Sequence, residues 1–514
     1  MITLEDCKQA GEYNYKGLST DIKPTNCYVN SLFLELDTGI FYFFNGTEWK
    51  DISQGITLGE TAPTGTISIT ENGIFDVHDY AEADVDVPAI IPAGTISITE
   101  NGTYDVTNYA EASVDVDVTV NFNLPALTRS IPTALSQARS RLAATNVGGY
   151  ALFGGGTSGS GRYSIVDAYD SSLTRSTPTS LSQARESLAA TNIGGYALFG
   201  GGYIGSFSNV VDAYDTSLTR STPTALSQAR SRLAAINIGE YALFGGGHSG
   251  SGRYSIVDAY DSSLTRSTPT SLSQAREYLA ATNIGGYALF GGGYADFYSN
   301  VVDAYDNSLT RSTPTSLSQY RTNLAATSVV HTGDSSPQSG YALFAGGYYN
   351  DSGHTYPAIV DAYDTSLTRT TPTALSEGRE FLGGTNVAPI GGSSPQSGYA
   401  LFGGGSNSSY VPTATVDAYN TSLTRITPTE LSQARDYLAA TNIGGYALFG
   451  GGETSSTRVA VVDAYSLASY DIQVFPGTKY SFNGSTEETS STWQTLTMQG
   501  EVIGYIKVKD ATVN

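Results

Sequence analysis

A seven-residue string, YALFGGG, recurs along this chain and constrains its fold more than any other feature. The string or its variant YALFAGG begins at seven positions, and successive starts lie 46, 45, 46, 54, 58 and 47 residues apart. Such a period is typical of repeat proteins, in which one unit cannot bury its apolar residues without a neighbour. The seven starts are Tyr150, Tyr196, Tyr241, Tyr287, Tyr341, Tyr399 and Tyr446.

Three further motifs accompany this string. VDAY follows it, LTR with a later PT comes next, and LSQAR or a close variant precedes the following copy. Each motif occurs seven times, which indicates seven equivalent units. The VDAY aspartates are Asp167, Asp212, Asp258, Asp303, Asp361, Asp417 and Asp463. The arginines that end LSQAR are Arg139, Arg185, Arg230, Arg276, Arg321, Arg379 and Arg435.

Each unit is predicted to contain four short strands. LAAT gives the first strand, YALF is an apolar run typical of a buried strand, VDAY alternates, and LTR with its PT forms a polar outer strand. Helices are not expected, because no ten-residue run with a 3.6-residue period is free of Gly and Pro. The glycines are expected to relieve crowding near the axis of a radial array. Four strands per unit of this length predict an all-β fold, a β-propeller.

The motifs resemble those of the kelch family over residues 121–470. That family has a double glycine after an apolar inner strand, then a Tyr-containing third strand and an Arg before the next blade. The family's usual Trp in the outer strand is Leu here, as at Leu173 and Leu218. The resemblance implies a seven-bladed kelch-like β-propeller with small N-terminal and C-terminal β modules beside it.

The ends of the array predict how the ring closes. An outer-strand motif at residues 127–129 opens the array without a preceding blade, and the last unit ends after its third strand. One N-terminal strand is therefore expected to complete the seventh blade with three C-terminal strands. Closure of this kind removes an open sheet edge, which would otherwise invite aggregation.

The rest of the chain divides into three segments. Residues 1–60 read as an N-terminal β-rich attachment segment, residues 61–120 hold two tandem β repeats, and residues 471–514 read as a C-terminal β module. Each repeat carries an Asn-Gly pair, at Asn72 and at Asn101, which predicts a hairpin turn. Residues 1–120 resemble, by pattern, tail and fibre proteins of phages that infect Gram-positive bacteria.

Charge and composition exclude several classes of protein. The chain has a formal charge of −22, and residues 121–470 hold 23 acidic residues, 19 arginines and no lysine. Nucleic-acid binding needs a surplus of cations, so neither nucleic acid nor an anionic membrane is an expected partner. No apolar stretch approaches 18 residues, and the N-terminus has no signal-peptide pattern. Cys7 and Cys27 make no disulfide framework.

No catalytic, cofactor or metal site is predicted. A copper centre of the galactose-oxidase type needs two His, two Tyr and a Cys, but the chain has four His in all and both Cys lie outside the array. Sialidase boxes, a Gly-x-Ser-x-Gly elbow and a Walker loop are missing from the sequence. The VDAY aspartates have two interpretations: calcium ligands, or outward-pointing acceptors for a neighbouring strand or for the LSQAR arginine. The second is favoured, because every blade shares these residues.

Function is expected where the blades differ, in the segments between GGG and VDAY. These segments are rich in Tyr, Ser, Gly and Asn, a composition suited to recognition of a sugar or a protein. In a propeller they share a face with the connections into each first strand. The alternative is that their rings only pack over the blades. The predicted ligand-binding residues are Arg162, Tyr203, Arg253, Tyr294, Phe297, Tyr298, Tyr348, Tyr349, His354, Tyr356 and Tyr410.

These observations predict a non-enzymatic phage virion protein of the tail, fibre or baseplate that binds a glycan or a protein on the host surface. Residues 1–120 are expected to attach it to other virion proteins, and the chain to form a homo-oligomer. Lysis would release it without a signal peptide. Two alternatives stay open: a glycan-active enzyme on a propeller scaffold, and an intracellular kelch scaffold.

Overall fold

The computed structural model places the repeated motifs in seven four-stranded antiparallel sheets. It describes residues 126–330, 340–351, 353–388, 398–474, 477, 479–499 and 502–509, and, before residue 126, Lys23 and the strands given below. None of these residues lies in a helix that is long and apolar enough to cross a membrane. The chain divides into two compact units, Leu127–Leu467, and Met1–Ala126 with Ala468–Asn514.

The seven sheets of Leu127–Leu467 are the blades of a propeller, numbered 1 to 7 from the first complete sheet. The first strands contact each other from blade to blade and so lie nearest the axis. They are Ala143–Val147, Ala189–Ile193, Ala234–Ile238, Ala280–Ile284, Ala325–Val330, Gly383–Val387 and Ala439–Ile443. The second strands are Tyr150–Gly154, Tyr196–Gly200, Tyr241–Gly245, Tyr287–Gly291, Gly340–Ala345, Tyr399–Gly403 and Tyr446–Gly450.

The outer half of each blade is built from the VDAY and LTR motifs. The third strands are Val166–Asp170, Val211–Asp215, Val257–Asp261, Val302–Asp306, Val360–Tyr363, Val416–Tyr419 and Val462–Leu467. The fourth strands are Arg175–Ser176, Arg220–Ser221, Arg266–Ser267, Arg311–Ser312, Arg369–Thr370, Arg425–Ile426 and, for blade 7, Leu127–Ser130. Two small hairpins pair His248–Ser249 with Gly252–Arg253, and Tyr349–Asn350 with His354–Thr355. The seven-bladed, kelch-like, all-β fold predicted from the motifs is confirmed.

The apolar residues of each motif are buried between adjacent blades. Leu152 and Val166 of blade 1 pack in one cluster with Phe199 and Tyr214 of blade 2, and all four side chains are fully buried. Burial of each such side chain contributes roughly 1.5–3 kcal/mol. The same cluster recurs between the other blades, which explains why YALF and VDAY are repeated almost without change.

The glycines that follow YALF serve the contact between blades. A Cβ on Gly154 would lie 2.7 Å from the ring of Phe199 in the next blade, and one on Gly155 would lie 2.6 Å from the carbonyl oxygen of Arg185. Gly155 also has a φ of +71°, which L-residues with side chains rarely adopt. The prediction that these glycines permit a close approach where a Cβ would clash is therefore confirmed. The approach is that of one blade to the next, and not one of strands around the axis.

The ring closes as the ends of the array predict. Leu127–Ser130 pairs antiparallel with Val462–Leu467, and Leu127 lies opposite Leu467. Arg129 donates to Asp463 at 3.1 Å. In every other blade the fourth-strand arginine pairs in the same way with the VDAY aspartate of that blade. Blade 7 therefore takes one strand from the N-terminal end of the array and three from the C-terminal end.

The VDAY aspartates lie inside the blades. Asp167 is fully buried and accepts hydrogen bonds from Arg139 at 2.8 Å, from Arg175 at 2.9 Å and from the backbone of Ser136 at 3.1 Å. An outward orientation for these aspartates was the wrong expectation, but the predicted pairing with the LSQAR arginine is confirmed. The equivalent ion pair with a buried arginine occurs in all seven blades.

The LSQAR segment connects neighbouring blades. Its backbone bonds to the preceding blade: Leu135 donates to Ala460 at 2.7 Å, and the carbonyl of Arg139 accepts from Gly452 at 2.9 Å. The side chain of Arg139 meanwhile pairs with Asp167 in the following blade. One short segment thus joins two blades by backbone and side chain together.

An asparagine near the end of each first strand forms a ring around the axis. Asn237 donates to Asn192 at 2.8 Å, and Asn283 donates to Asn237 at 2.9 Å. The contacts continue through every blade, with Ser328 in place of asparagine in blade 5 and a bond from Asn386 to its carbonyl. The members are Asn146, Asn192, Asn237, Asn283, Ser328, Asn386 and Asn442.

The second unit contains strands from both ends of the chain. One sheet runs Thr3–Glu5, Asn14–Gly17, Leu32–Glu35, Phe41–Phe44 and Trp49–Asp51. A seven-stranded sheet runs, in spatial order, Glu488–Thr489, Lys479–Phe482, Val502–Lys509, Asp117–Leu124, Thr95–Glu100, Ile67–Asn72 and Asp84–Ala89. Ser469–Val474 pairs with Gln494–Gln499, and a backbone bond of 3.0 Å from Ala468 to Ala126 ties together the two chain segments that flank the propeller. Cys7 and Cys27 lie outside the described residues.

The two tandem repeats stack on each other. Ile67–Asn72 pairs in parallel with Thr95–Glu100, so that Ile67 lies opposite Ile96, its copy in the second repeat. Phe75–Asp76 pairs in parallel with Tyr104–Asp105. The predicted hairpin across Asn72 is wrong, because Ile67–Asn72 pairs antiparallel with Asp84–Ala89 of the same repeat, while Phe75–Asp76 pairs with its own copy. The turn predicted at Asn101 lies outside the described residues. A repeat this small lacks a core of its own, and stacking supplies the missing neighbour.

Candidate ligand-binding face

The two residues that follow each LSQAR motif differ between blades and lie on one face of the propeller. We call them the first and second rim residues of a blade. The second rim residues all have positive φ and form a closed ring of backbone hydrogen bonds, in which each N–H donates to the carbonyl of the preceding blade at 2.9–3.2 Å. They are Arg141, Ser187, Arg232, Tyr278, Asn323, Phe381 and Tyr437.

This ring surrounds a central cavity of ≈ 340 Å³. Its wall consists of the second rim residues and the leucine that follows each of them. Phe381 and Tyr437 stack on each other at a centroid distance of 3.9 Å, and the guanidinium of Arg141 lies over the Tyr437 ring at 4.7 Å. Arg232 lies over the ring of Tyr278 at the same distance. The volume lies in the range of small-ligand sites. The cavity therefore combines cationic and aromatic surfaces at the axis.

The first rim residues hold the variable loops beside this cavity. Each forms a β-bridge with the residue that follows GGG in the same blade, for example Glu277 with Tyr294, and Thr322 with Tyr348. The seven first rim residues are Ser140, Glu186, Ser231, Glu277, Thr322, Glu380 and Asp436. The variable loops and the rim residues thus make up one surface, the variable face.

A row of aromatic rings crosses blades 4 to 6 on the variable face. Tyr294 contacts Tyr298 at a centroid distance of 5.3 Å, and Tyr298 contacts Tyr348 at 5.8 Å. Tyr348 then packs on Tyr356 at 5.3 Å, and Tyr356 packs on Tyr410 at 5.9 Å. The aromatic row combines five predicted binding residues from three blades.

Two side chains extend this row. His354 stacks on Tyr348 at 5.7 Å and lies 5.6 Å from Tyr410. Arg253 of blade 3 lies 4.4 Å from the ring centre of Tyr294, a cation–π geometry. Tyr410, 59 % exposed, offers the most open ring of the row.

A second, smaller cluster covers blades 1 to 3. Arg162 lies 4.6 Å from the ring centre of Tyr203, which contacts Phe207 at 5.4 Å. Phe207 contacts His248 at 5.4 Å. Arg162 and Tyr203 are therefore placed on the predicted face, but in a group separate from the aromatic row.

The remaining two predicted residues do not join either cluster. Tyr349 packs on Tyr320 at 5.2 Å and accepts a hydrogen bond from Gln319 at 2.6 Å. Phe297 lies at a loop tip with 67 % of its surface exposed. Adjacent residues in the sequence, such as Tyr348 and Tyr349, can thus have different surroundings.

The acidic rim residues fall into two groups. Glu186 pairs with Arg162 at 3.0 Å and with Arg141 at 3.9 Å. Glu277 pairs with Arg253 at 3.2 Å and with Arg232 at 3.0 Å. Glu380 and Asp436 are buried to a similar degree, yet neither has an ion pair among the described residues. Two uncompensated carboxyl groups therefore lie beside the aromatic row and the cavity.

Burial shifts the titration of these two groups. Loss of hydration raises the pKa of Glu380 to about 7, against a hydrogen bond from Asn323 at 2.7 Å that lowers it. Loss of hydration raises the pKa of Asp436 to about 6, opposed by a hydrogen bond from Ser406. The charge of an acidic neighbour raises both pKa values further, Asp436 for Glu380 and Glu453 for Asp436, whereas Arg141 lowers the pKa of Asp436. Both groups therefore titrate near neutral pH.

The interpretation of the VDAY aspartates as calcium ligands is not supported. Each VDAY aspartate has two arginines, as Asp167 has Arg139 and Arg175, and their guanidinium groups would repel a calcium ion. Within the described ranges no group of three or more His, Cys, Asp or Glu is placed to hold a metal ion. These aspartates belong to the scaffold.

The rim residues are not among the binding residues predicted from the sequence, which all lie in the segments after GGG. The two positions after the constant LSQAR motif also vary from blade to blade. Their variation beside a constant arginine is the signal that would have found Tyr278, Phe381 and Tyr437.

Comparison with known proteins gives little beyond the fold. No protein-family model matches the chain, and no curated protein matches it. Among solved structures that do match, one described as the structure of YjhT is similar over 67 % of this chain and 97 % of its own, with a TM-score of 0.41 and 10 % sequence identity. A likeness at this level carries no conclusion about function, so the assignment of the fold rests on the strand pairing.

Proposed function

We propose that the propeller is a non-enzymatic binding module and that the chain is a phage virion protein, of the tail, fibre or baseplate, that recognises the host cell surface. The observation that carries the binding role is the aromatic row beside the central cavity. Tyr rings offer large, rigid and amphipathic contact area, which suits the apolar face of a sugar or a protein epitope. The scaffold residues are the same in every blade, whereas these residues are not.

The virion assignment is supported by the pattern of residues 1–120, which resembles tail and fibre proteins of phages of Gram-positive bacteria. On this proposal, residues 1–120 attach the chain to other virion proteins, the chain forms a homo-oligomer, and release occurs by lysis. The acidic composition agrees with a ligand other than nucleic acid.

A glycan-active enzyme is the second candidate, and one observation favours it. Glu380 and Asp436 are two buried carboxyl groups with raised pKa values beside a cavity, and glycosidases use a pair of carboxyl groups of which one, the general acid, has a raised pKa. An enzyme would release reducing sugars from host cell walls, and the E380Q variant would abolish that release. A binding module would adsorb without product.

The binding role is tested with two adjacent residues. Tyr348→Ala removes the ring at the middle of the aromatic row, and we expect adsorption of the purified chain to host cells to fall about tenfold. Tyr349→Ala is the matched control, because this ring packs on Tyr320 outside the row. Equal adsorption by wild type and Tyr348→Ala, with unchanged thermal unfolding in both, would refute the proposed face. Capture of an intracellular partner without cell or glycan binding would favour the scaffold alternative.

A further inference from the structure

The repeat supplies an internal comparison for the buried acids of the rim. The carboxylates of Glu186 and Glu277 each meet two arginines of the preceding blade: its second rim residue and the residue four positions before VDAY. Glu380 and Asp436 occupy the same position in blades 6 and 7. The residues at the same two positions of the preceding blade can therefore be compared for Glu380 and for Asp436.

Neutral residues replace the arginines at both sites. For Glu380 the equivalents are Asn323 and Tyr356, and for Asp436 they are Phe381 and Pro412. The Tyr356 hydroxyl lies close enough to Glu380 for the charge of that carboxylate to contribute to the raised pKa of the hydroxyl. The chain thus retains a buried acid in these blades without the two paired arginines that balance Glu186 and Glu277. Arg141, which pairs with Glu186, lowers the pKa of Asp436 but forms no ion pair with it among the described residues.

Three buried oxygen atoms at this place have no hydrogen-bond partner among the described residues. They are Oδ1 of Asp436, which is only 8 % exposed, Oδ1 of Asn323 on the cavity wall, and the hydroxyl of Tyr356. The first two atoms are acceptors, whereas the hydroxyl can donate or accept. Buried polar atoms are nearly always paired, so a donor from outside the chain would complete this group. The missing partner is accordingly a donor and, beside two carboxylates, a cation.

We propose that Glu380 and Asp436 bind the protonated amine of an amino sugar at the edge of the central cavity. This inference deepens the proposed function, on which it rests for the choice of a glycan ligand. The amine replaces the missing arginines as counter-charge and donates to the unpartnered oxygens. The sugar ring packs on Phe381, which directly follows Glu380 in sequence and stacks on Tyr437, whose ring also carries Arg141.

An organic amine fits this place better than a metal ion does. Metal sites in proteins need more acidic or imidazole ligands than the described residues bring together here. Aromatic rings, which surround both acids, favour an organic cation through cation–π attraction. A primary amine also carries three donors, enough for both carboxylates and for Oδ1 of Asn323.

The experiment compares two sugars that differ in charge. Binding of a glucosamine oligosaccharide and of an N-acetylglucosamine oligosaccharide of equal length to the full chain is measured by calorimetry at about pH 7, where the amine keeps more of its proton than at alkaline pH. We expect wild type to prefer the free amine by about tenfold or more, the difference made by a charge-assisted hydrogen bond. The double variant E380Q/D436N should lose this preference.

A matched double variant controls for net charge. The chain is strongly acidic and attracts any cation, so E277Q/D296N removes two acids that pair with Arg253 instead. This control should keep the preference for the free amine. Equal binding of both sugars by wild type, no binding of either, or an equal loss in both double variants would overturn the inference.

Adsorption to host cells separates the inference from the proposed function. If wild type adsorbs to cells but does not distinguish the two sugars, the amine site is wrong and the binding role stands. If wild type binds the amine but not cells, the host-surface role is wrong and the site stands. Thermal unfolding of E380Q/D436N serves as a folding check, because amides at these positions remove uncompensated charge and should not destabilise the chain.

Discussion

Buried carboxylates occur in two regions of this propeller, and each region balances their charge differently. Inside the blades, every VDAY aspartate has two arginines, and the arrangement is the same seven times. On the variable face, Glu186 and Glu277 have arginine partners, whereas neither Glu380 nor Asp436 forms an ion pair within the part of the chain that the structure describes. Charge is thus balanced wherever a residue is shared by all blades. Imbalance is confined to residues that differ between blades, where binding is expected.

The largest effect should come from opening the ring. Deletion of residues 127–130 removes buried Leu127, four residues of strand pairing and the bond from Arg129 to Asp463. We expect the free energy of unfolding to fall by about 3–6 kcal/mol. Chemical denaturation measures this loss. Leu127→Ala should cost about half as much, and a deletion without effect would mean that another segment closes blade 7.

Loss of an arginine inside the blades should destabilise the chain far more than loss of an arginine on the variable face. Arg185→Met leaves fully buried Asp212 without one of its two partners, so stability should fall by about 3–5 kcal/mol. Arg162→Met is the control, since the Arg162 side chain is 30 % exposed and should cost less than about 1 kcal/mol. Similar losses for the two variants would erase the distinction between scaffold and face.

The unbalanced acids predict a pH dependence of stability. The pKa of Glu380 is raised from 4.5 to about 7 in the folded chain. At a pH between these two values the folded chain keeps the proton on Glu380, whereas the unfolded chain has lost it. The free energy of unfolding should therefore decrease, by about 1–3 kcal/mol, as the pH rises from about 5 to about 8. In E380Q this slope should shrink, whereas E277Q, with its arginines, should keep it. A slope unchanged by E380Q would contradict the assignment.

The smallest effect should come from the asparagine ring. Asn237→Ala removes one bond to Asn192 and one from Asn283, which are only partly buried. We expect a loss of about 1 kcal/mol, measured by denaturation. Ser328→Ala, at the position where the ring already lacks an asparagine, should cost less. Equal costs would show that side-chain bonds at the axis add little to closure.

The repeated part of the fold could be predicted from the sequence because each motif reports the same environment seven times. The four strands, the seven blades, the closure by residues 127–130 and the pairing of Arg139 with Asp167 all follow from spacing and residue type. The close neighbour of Gly154, Phe199, could not be predicted, because it lies in another blade. The stacking of Ile67 on Ile96 was missed for a similar reason, since an Asn-Gly pair reports only local geometry.

The binding face was predicted less completely. Tyr294, Tyr298 and Tyr348 belong to loops whose variation and composition indicate recognition, and the structure brings them together. The burial of Glu380 and the stacking of Phe381 on Tyr437 depend on contacts between blades about 56 residues apart. Such contacts follow from the ring and have no local signature.

The backbone bond between Ala126 and Ala468 has a consequence for how such a chain changes. The chain leaves and re-joins one unit at neighbouring points, so the propeller is inserted into that unit as a contiguous segment. A single genetic exchange between these two points would transplant the whole disc. On the proposed function, a new host preference could then be acquired while the part that docks to the particle keeps its own sequence.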